Sequence, residues 1–183
     1  MINFRTNEAA IKVVTGKLEN LDLRIARRDL VVVGGAAMAL YDIKPIHTTD
    51  LDIDASPELM EHLTNDKRWK KSEPRDLVAT RQGISHQVSD SREYSGYKTV
   101  LGDVTAIPVP IQDSYPIDFE TLVSEATMFE DMPYPVARLE RVLDWKLALA
   151  ATFEHAAKEK HMADAQRISS YLLELVGAPS TKP

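Results

Sequence analysis

Cysteine is absent from the 183-residue chain, which excludes disulfides, thiolate metal sites and cysteine nucleophiles. No run of apolar residues approaches the roughly eighteen needed for a membrane helix, so no membrane partner is expected. The start, Met1-Ile2-Asn3-Phe4-Arg5, lacks the basic-then-apolar plan of a signal peptide, and a cytoplasmic protein is expected. Positive charge is in deficit: 22 basic residues face 28 acidic ones, a net charge of −6. That balance argues against a protein that coats nucleic acid by bulk attraction, and leaves a local basic site open. Internal repeats and low-complexity tracts are also missing. What remains, 44% hydrophobic and 27% charged residues, suffices for an ordinary core in one domain with a helical appendage.

Periodicity sketches the elements. Ile11, Val14, Leu18, Leu21 and Ile25 recur at helical spacing, with Thr6 or Asn7 as N-cap. Leu30 to Val33 is short and β-branched, a buried strand. Ala36 to Tyr41 reads as a helix opening from Gly34-Gly35, and Asp50 to Asp54 as a second strand. Pro57 begins a short helix over 58–63. Further strands are expected at 77–80, 84–88, 98–101 and 104–109, the last an edge or broken strand because of Pro108 and Pro110. Ile117-Asp118-Phe119 reads as one more strand. Lys67-Arg68-Trp69-Lys70-Lys71 reads as a solvated turn with one packed tryptophan, or as a grip on an RNA or nucleotide. From Arg138 two helical stripes follow, Leu139, Val142, Leu143, Leu149 and Phe153, then Ile168, Tyr171, Leu172 and Leu175. The division is a core over 1–132, a helical segment over 133–177 packing on it, and a loose tail over 178–183.

The chemistry concentrates in two short stretches. Strand, Gly34-Gly35, helix is a phosphate-binding geometry, because glycine permits close backbone approach and the helix start presents unpaired N–H groups. It is equally the geometry of a plain tight turn. About fifteen residues later, Asp50-Leu51-Asp52-Ile53-Asp54 alternates acid with apolar, which sets three carboxylates on one strand face. Like charges that close call for a cation. Two aspartates on one face, plus a carboxylate from a neighbouring strand, could hold one or two Mg²⁺ ions that bind phosphate oxygens. Asp118 fits the third place best, ahead of Asp103 and Asp113; an exposed strand aspartate is its bland alternative. A calcium loop beginning at Asp50 fails, because Ala55 replaces the turn glycine and Pro57 is interior. Asp54 reads as a strand-end or helix-capping residue.

Gly34-Gly35-Ala36-Ala37-Met38-Ala39-Leu40-Tyr41 followed by Thr48-Thr49-Asp50-Leu51-Asp52 resembles the signature of the DNA polymerase β-like nucleotidyltransferase superfamily. The nearest likeness is to the AbiEii-type group, minimal transferases often found as toxins of toxin–antitoxin pairs. Val136-Ala137-Arg138-Leu139-Glu140, Asp144-Trp145-Lys146-Leu147-Ala148 and Lys160-His161-Met162-Ala163-Asp164 extend that likeness. It departs at Ala36, where the family commonly has serine, and at Ile46 or His47, where arginine is common.

The resemblance implies an α/β (α+β) nucleotidyltransferase fold, a small mixed sheet flanked by helices with a C-terminal helical segment. It implies transfer of NMP from an NTP to an acceptor hydroxyl on RNA or tRNA, a protein or a small molecule. Gly34 and Gly35 would cradle the triphosphate, and Asp50 and Asp52 would bind two Mg²⁺ (or Mn²⁺) ions. Asp118 would be the third carboxylate, Lys146 would reach the triphosphate, and Asp164 would close the site. An antitoxin partner goes with the toxin role. The residues also allow plainer readings: Lys146 as a lysine laid along an apolar stripe, Lys160 and Asp164 as a surface ion pair, and the whole as a non-catalytic nucleotide- or partner-binding module.

Overall fold

The structure, a computed structural model, describes residues 6–19, 29–46, 51–59, 61, 69–72, 96–99, 104–108, 119–152 and 155–177. It is a mixed α+β arrangement. The elements are α1 (Glu8–Glu19), β1 (Leu30–Val32), α2 (Gly34–Leu40), β2 (Leu51–Ala55), β3 (Trp69–Ser72), β4 (Gly96–Thr99) and β5 (Val104–Pro108). Helices α3 (Phe119–Glu125), α4 (Leu139–Thr152) and α5 (His155–Gly177) follow.

Helix α1 starts where its cap allows. The Asn7 side-chain oxygen accepts the Ala10 N–H at 3.1 Å, satisfying one of the unpaired donors of the first turn. Ile11, Val14 and Leu18 then face inward as their spacing requires. Leu21 and Ile25 lie outside the described residues, as do the expected strands at 77–80 and 84–88.

The five strands form one mixed sheet in the order β1-β2-β5-β4-β3. Strands β2 and β5 are parallel; the other pairs are antiparallel. Leu30, Val31 and Val32 are all buried, which suits their unbroken apolar run. The outer side of β1 is covered: Val32 donates to Pro135 O and its carbonyl accepts from Ala137, both at 2.9 Å.

Three local expectations are corrected and one is narrowed. Trp69 to Ser72 is strand β3, not a turn; its pairing with β4, Trp69 opposite Thr99 through Ser72 opposite Gly96, supplies an order that its own sequence does not signal. Strand β5 lies inside the sheet and is not an edge. Pro108 is tolerated because it is the terminal residue, opposite Ala55, while the recorded pairing with β4 stops at Ala106. Phe119 opens helix α3 and is not a strand residue. The helical turn after β2 is capped by Ser56, whose hydroxyl accepts the Leu59 N–H at 3.0 Å. Of the two readings of Asp54, strand end and helix cap, the strand-end one stands, since Asp54 is the penultimate residue of β2.

Helix α2 ends in a reversal. The Ile43 N–H reaches Met38 O at 2.9 Å and the Asp42 N–H reaches Ala39 O at 3.0 Å, with Asp42 in the left-handed region at φ 57°. The core beside it contains Met38, Leu40, Tyr41, Leu51, Ile53, Leu139 and Ile168, all nearly or fully buried. Tyr41 donates to the Thr127 hydroxyl at 2.6 Å and meets Phe129 edge-on with ring centroids 4.9 Å apart. Burial pushes its phenol up to about 12.

Candidate functional site

The site grows from the junction of β1 and α2. Gly34 has φ 62°, a conformation that side chains rarely tolerate. A Cβ there would also lie 3.0 Å from Asp52 Oδ2 and 3.3 Å from Trp145 Cζ3. The glycine is thus needed twice, for the backbone bend and for the approach of β2 and α4. Helix α2 starts at Val33 without a side-chain cap.

Gly35 meets a residue that sequence reasoning missed. A Cβ on it would sit 3.3 Å from Lys44 Nζ. The reversal after α2 sends Lys44 back along the helix, so its ammonium lies near the helix start although the residue follows the helix end. No local pattern announces this; only the turn at Asp42 could have hinted at it.

Asp164 is the hub. Its Oδ2 lies 3.0 Å from Lys146 Nζ and 3.2 Å from Lys44 Nζ, and its Oδ1 3.3 Å from Arg167 Nη1. Asp164 is 2% exposed and Lys146 5%, so neither is the surface residue of the plainer readings. Burial pushes the Asp164 carboxyl up, but Lys146 and Lys44 outweigh it and hold it below the usual carboxylate range. Burial draws the Lys146 ammonium down, against the opposing pull of Asp164 and Asp52. Three cations thus converge on one carboxylate, and one of them, Lys44, also approaches Gly35.

Beyond the glycines stand the aspartates of β2. Leu51, Ile53 and Ala55 are buried while Asp52 and Asp54 are half-buried, confirming the alternation. The Asp54 Oδ1 is sealed from solvent and accepts no hydrogen bond among the described residues. Burial, and then the neighbouring Asp52, push its carboxyl well above the usual range. The Trp145 indole N–H is likewise sealed without an acceptor. An unpaired buried acceptor beside a second carboxylate fits a hard cation that takes oxygen ligands, as Mg²⁺ does. Among the described residues no group of three or more His, Asp or Glu stands ready to hold a metal.

Of the residues expected at the site, Gly34, Gly35, Asp52, Lys146 and Asp164 are brought together. Asp50 and Asp118 lie outside the described residues. Across the sheet, Asp52 stands opposite Thr105 and Asp54 opposite Ile107, so the paired positions of β5 supply no carboxylate.

No family model matches the chain, and no curated protein matches it. Among solved structures it is similar to JHP933 from Helicobacter pylori, at 17% identity and a TM-score of 0.41, over 93% of this chain and 70% of that one. No described helix is long and apolar enough to cross a membrane.

Proposed function

We propose that this chain is a metal-dependent nucleotidyltransferase. The observation that carries the reading is Gly34 packed against Asp52, with Lys44, Lys146 and Arg167 gathered on Asp164 beside it. Cations next to a backbone that admits no side chain suit a triphosphate; carboxylates on the adjoining strand suit the metal that travels with it.

Asp50 and Asp52 would hold Mg²⁺, which lends charge stabilisation to the phosphoryl oxygens when bound. Gly34 and Gly35 let the phosphates approach the start of α2. Lys146 and Lys44 neutralise the β- and γ-phosphates, and Asp164 holds both ammonium groups in place. An acceptor hydroxyl oxygen bonds to the α-phosphorus, the bond to the bridging oxygen breaks, and pyrophosphate leaves. The hydroxyl proton passes to a carboxylate, the role proposed for Asp118. Catalysis then rests on positioning and electrostatics. RNA, protein and small molecules are all open as acceptors, and the toxin role with an antitoxin partner belongs to the same reading.

One observation favours a second reading, a nucleotide-binding module without turnover: β5 places Thr105 and Ile107, not a carboxylate, beside Asp52 and Asp54. Calorimetry with Mg²⁺ and each NTP, run beside a pyrophosphate-release assay on a cell extract, separates the two. Transfer requires binding and pyrophosphate release, both lost in Asp52→Asn. Binding without release across a broad acceptor screen favours the module. Absence of NTP binding sinks both.

A further inference from the structure

Helix α5, 23 residues long and so about 34 Å from end to end, buries one side and leaves the other open. Asp164, Ala165 and Ile168 are 2% exposed or less. On the opposite side Arg167, Ser170, Leu173 and Glu174 are exposed. Leu173 and Val176 are 72% and 83% exposed, more than any other large apolar side chain among the described residues. One exposed leucine is ordinary; here two large apolar residues, one turn apart, flank an ordered set of charges. Arg167 and Glu174 are seven residues apart, close to two full turns, so they stand in one row with Ser170 between them. A groove of about 510 Å³ between α5 and the turn at Asp42 and Ile43 follows this row, and both charges line it. Arg167 gives one N–H to Asp164 Oδ1 at 3.3 Å while 56% of its side chain stays exposed, which leaves further guanidinium donors for a second carboxylate. Ala163, Ser170 and Gly177, again seven apart, keep the middle of this side low enough for another helix to come close. A Cβ on Gly177 would meet nothing within 4 Å.

We propose that the open side of α5 pairs, antiparallel, with the same side of a second copy of this chain, about a twofold axis beside Ser170. The charges select that occupant. Reversing the helix about a point between Ser170 and Tyr171 carries position 167 onto position 174, so Arg167 meets the partner's Glu174 and Glu174 meets the partner's Arg167. A twofold contact requires a surface that complements itself in this way. A parallel pairing in register would instead set like charge against like charge. The other flank removes Leu173 from water in the same contact. Because Arg167 also holds Asp164, the interface reaches the cation cluster. The contact needs no nucleotide, so it stands or falls apart from the nucleotidyltransferase reading.

Sedimentation velocity of the full chain between about 5 and about 500 μM tests the pairing. The native chain is expected to pass from monomer to dimer over that range. Glu174→Arg and Arg167→Glu each set like charges together and are expected to weaken association about tenfold or more. Mixed in equal amounts, the two variants restore both charge pairs and are expected to associate within about threefold of the native chain. Glu19→Arg makes the same charge change at an exposed position of α1 and is expected to behave like the native chain. Leu173→Glu is expected to weaken association from the apolar flank. Thermal unfolding checks every variant, Arg167→Glu above all because Arg167 touches Asp164; if it is unfolded, Glu174→Arg and Leu173→Glu, at exposed positions, decide the matter. A monomer at every concentration overturns the proposal, as does native-like association of Glu174→Arg or Leu173→Glu. So does a mixture of the two folded charge variants that stays monomeric, or a loss in Glu19→Arg as large as that in Glu174→Arg.

Discussion

Two carboxylates of the site, Asp164 and Asp54, have surroundings that could hardly differ more. Asp164, on α5, has Lys146, Lys44 and Arg167 within 3.3 Å and is held below its ordinary pKa. Asp54, on β2, has a sealed Oδ1 without a hydrogen bond among the described residues and a neighbouring carboxylate, and its pKa is raised. Burial alone disfavours a charge; a partner decides whether the charge persists. One carboxylate organises cations, while the other is an unsatisfied acceptor suited to a metal ion.

Removing the hub breaks the comparison most severely. Asp164→Ala leaves Lys146 buried without its partner and three cations in mutual repulsion. Chemical denaturation should show a loss of about 3 kcal/mol or more, and NTP binding should fall with it. The same contrast has a pH signature. The Asp164 pairing contributes its full stability above the ordinary aspartate pKa of about 4, and loses it as pH falls through the lower folded value. The stability gap between the native chain and Asp164→Asn should therefore narrow on acidification below about pH 4. A gap independent of pH would show that Asp164 is not the ionised centre.

Gly34→Ala comes next. A side chain there has to adopt φ 62° and press on Asp52 Oδ2, so a loss of about 2 kcal/mol is expected from the backbone and the contact together. Nucleotide affinity should drop further than stability alone explains, since the added methyl displaces Asp52.

Asp54→Asn sharpens the contrast from the other side. Substituting a carboxylate whose sealed Oδ1 has no hydrogen bond among the described residues should change stability by less than about 1 kcal/mol without divalent metal. A loss as large as that of Asp164→Ala in thermal unfolding would reveal a partner for Asp54. The smallest effect is expected at Arg141, whose guanidinium holds Glu125 by two hydrogen bonds of 2.8 and 3.0 Å near the surface. Arg141 lowers the Glu125 pKa, yet water and salt screen such a pair. Arg141→Gln should leave the melting temperature nearly unchanged, and a large shift would mean that half-buried and buried pairs here are alike.

Much of the architecture was legible because it repeats locally. Helix α1 was announced by Ile11, Val14 and Leu18 and by its Asn7 cap, and β2 by alternation of acid and apolar residues. Strand β3 was not, because Trp69-Lys70-Lys71-Ser72 has no alternation of its own and is ordered by β4. The interior place of β5 was hidden by Pro108, whose missing N–H matters only if a neighbour needs it. Gly34, Gly35, Asp52, Lys146 and Asp164, singled out by their pattern, lie together in the fold. Lys44 and Arg167 were not singled out, since a lone basic residue carries no signal of where a turn or a helix face will take it.

The sequence by itself determined the glycine bend, the alternating aspartates and the apolar stripes, because each depends on spacing within a few residues. Tertiary structure alone decided which charges meet. It carried Lys44 back to Gly35, set Lys146 and Arg167 on Asp164, and left Asp54 Oδ1 without a hydrogen bond among the described residues. These outcomes depend on contacts between segments far apart in the chain, and electrostatic energy follows distance and burial, which no spacing along a sequence records.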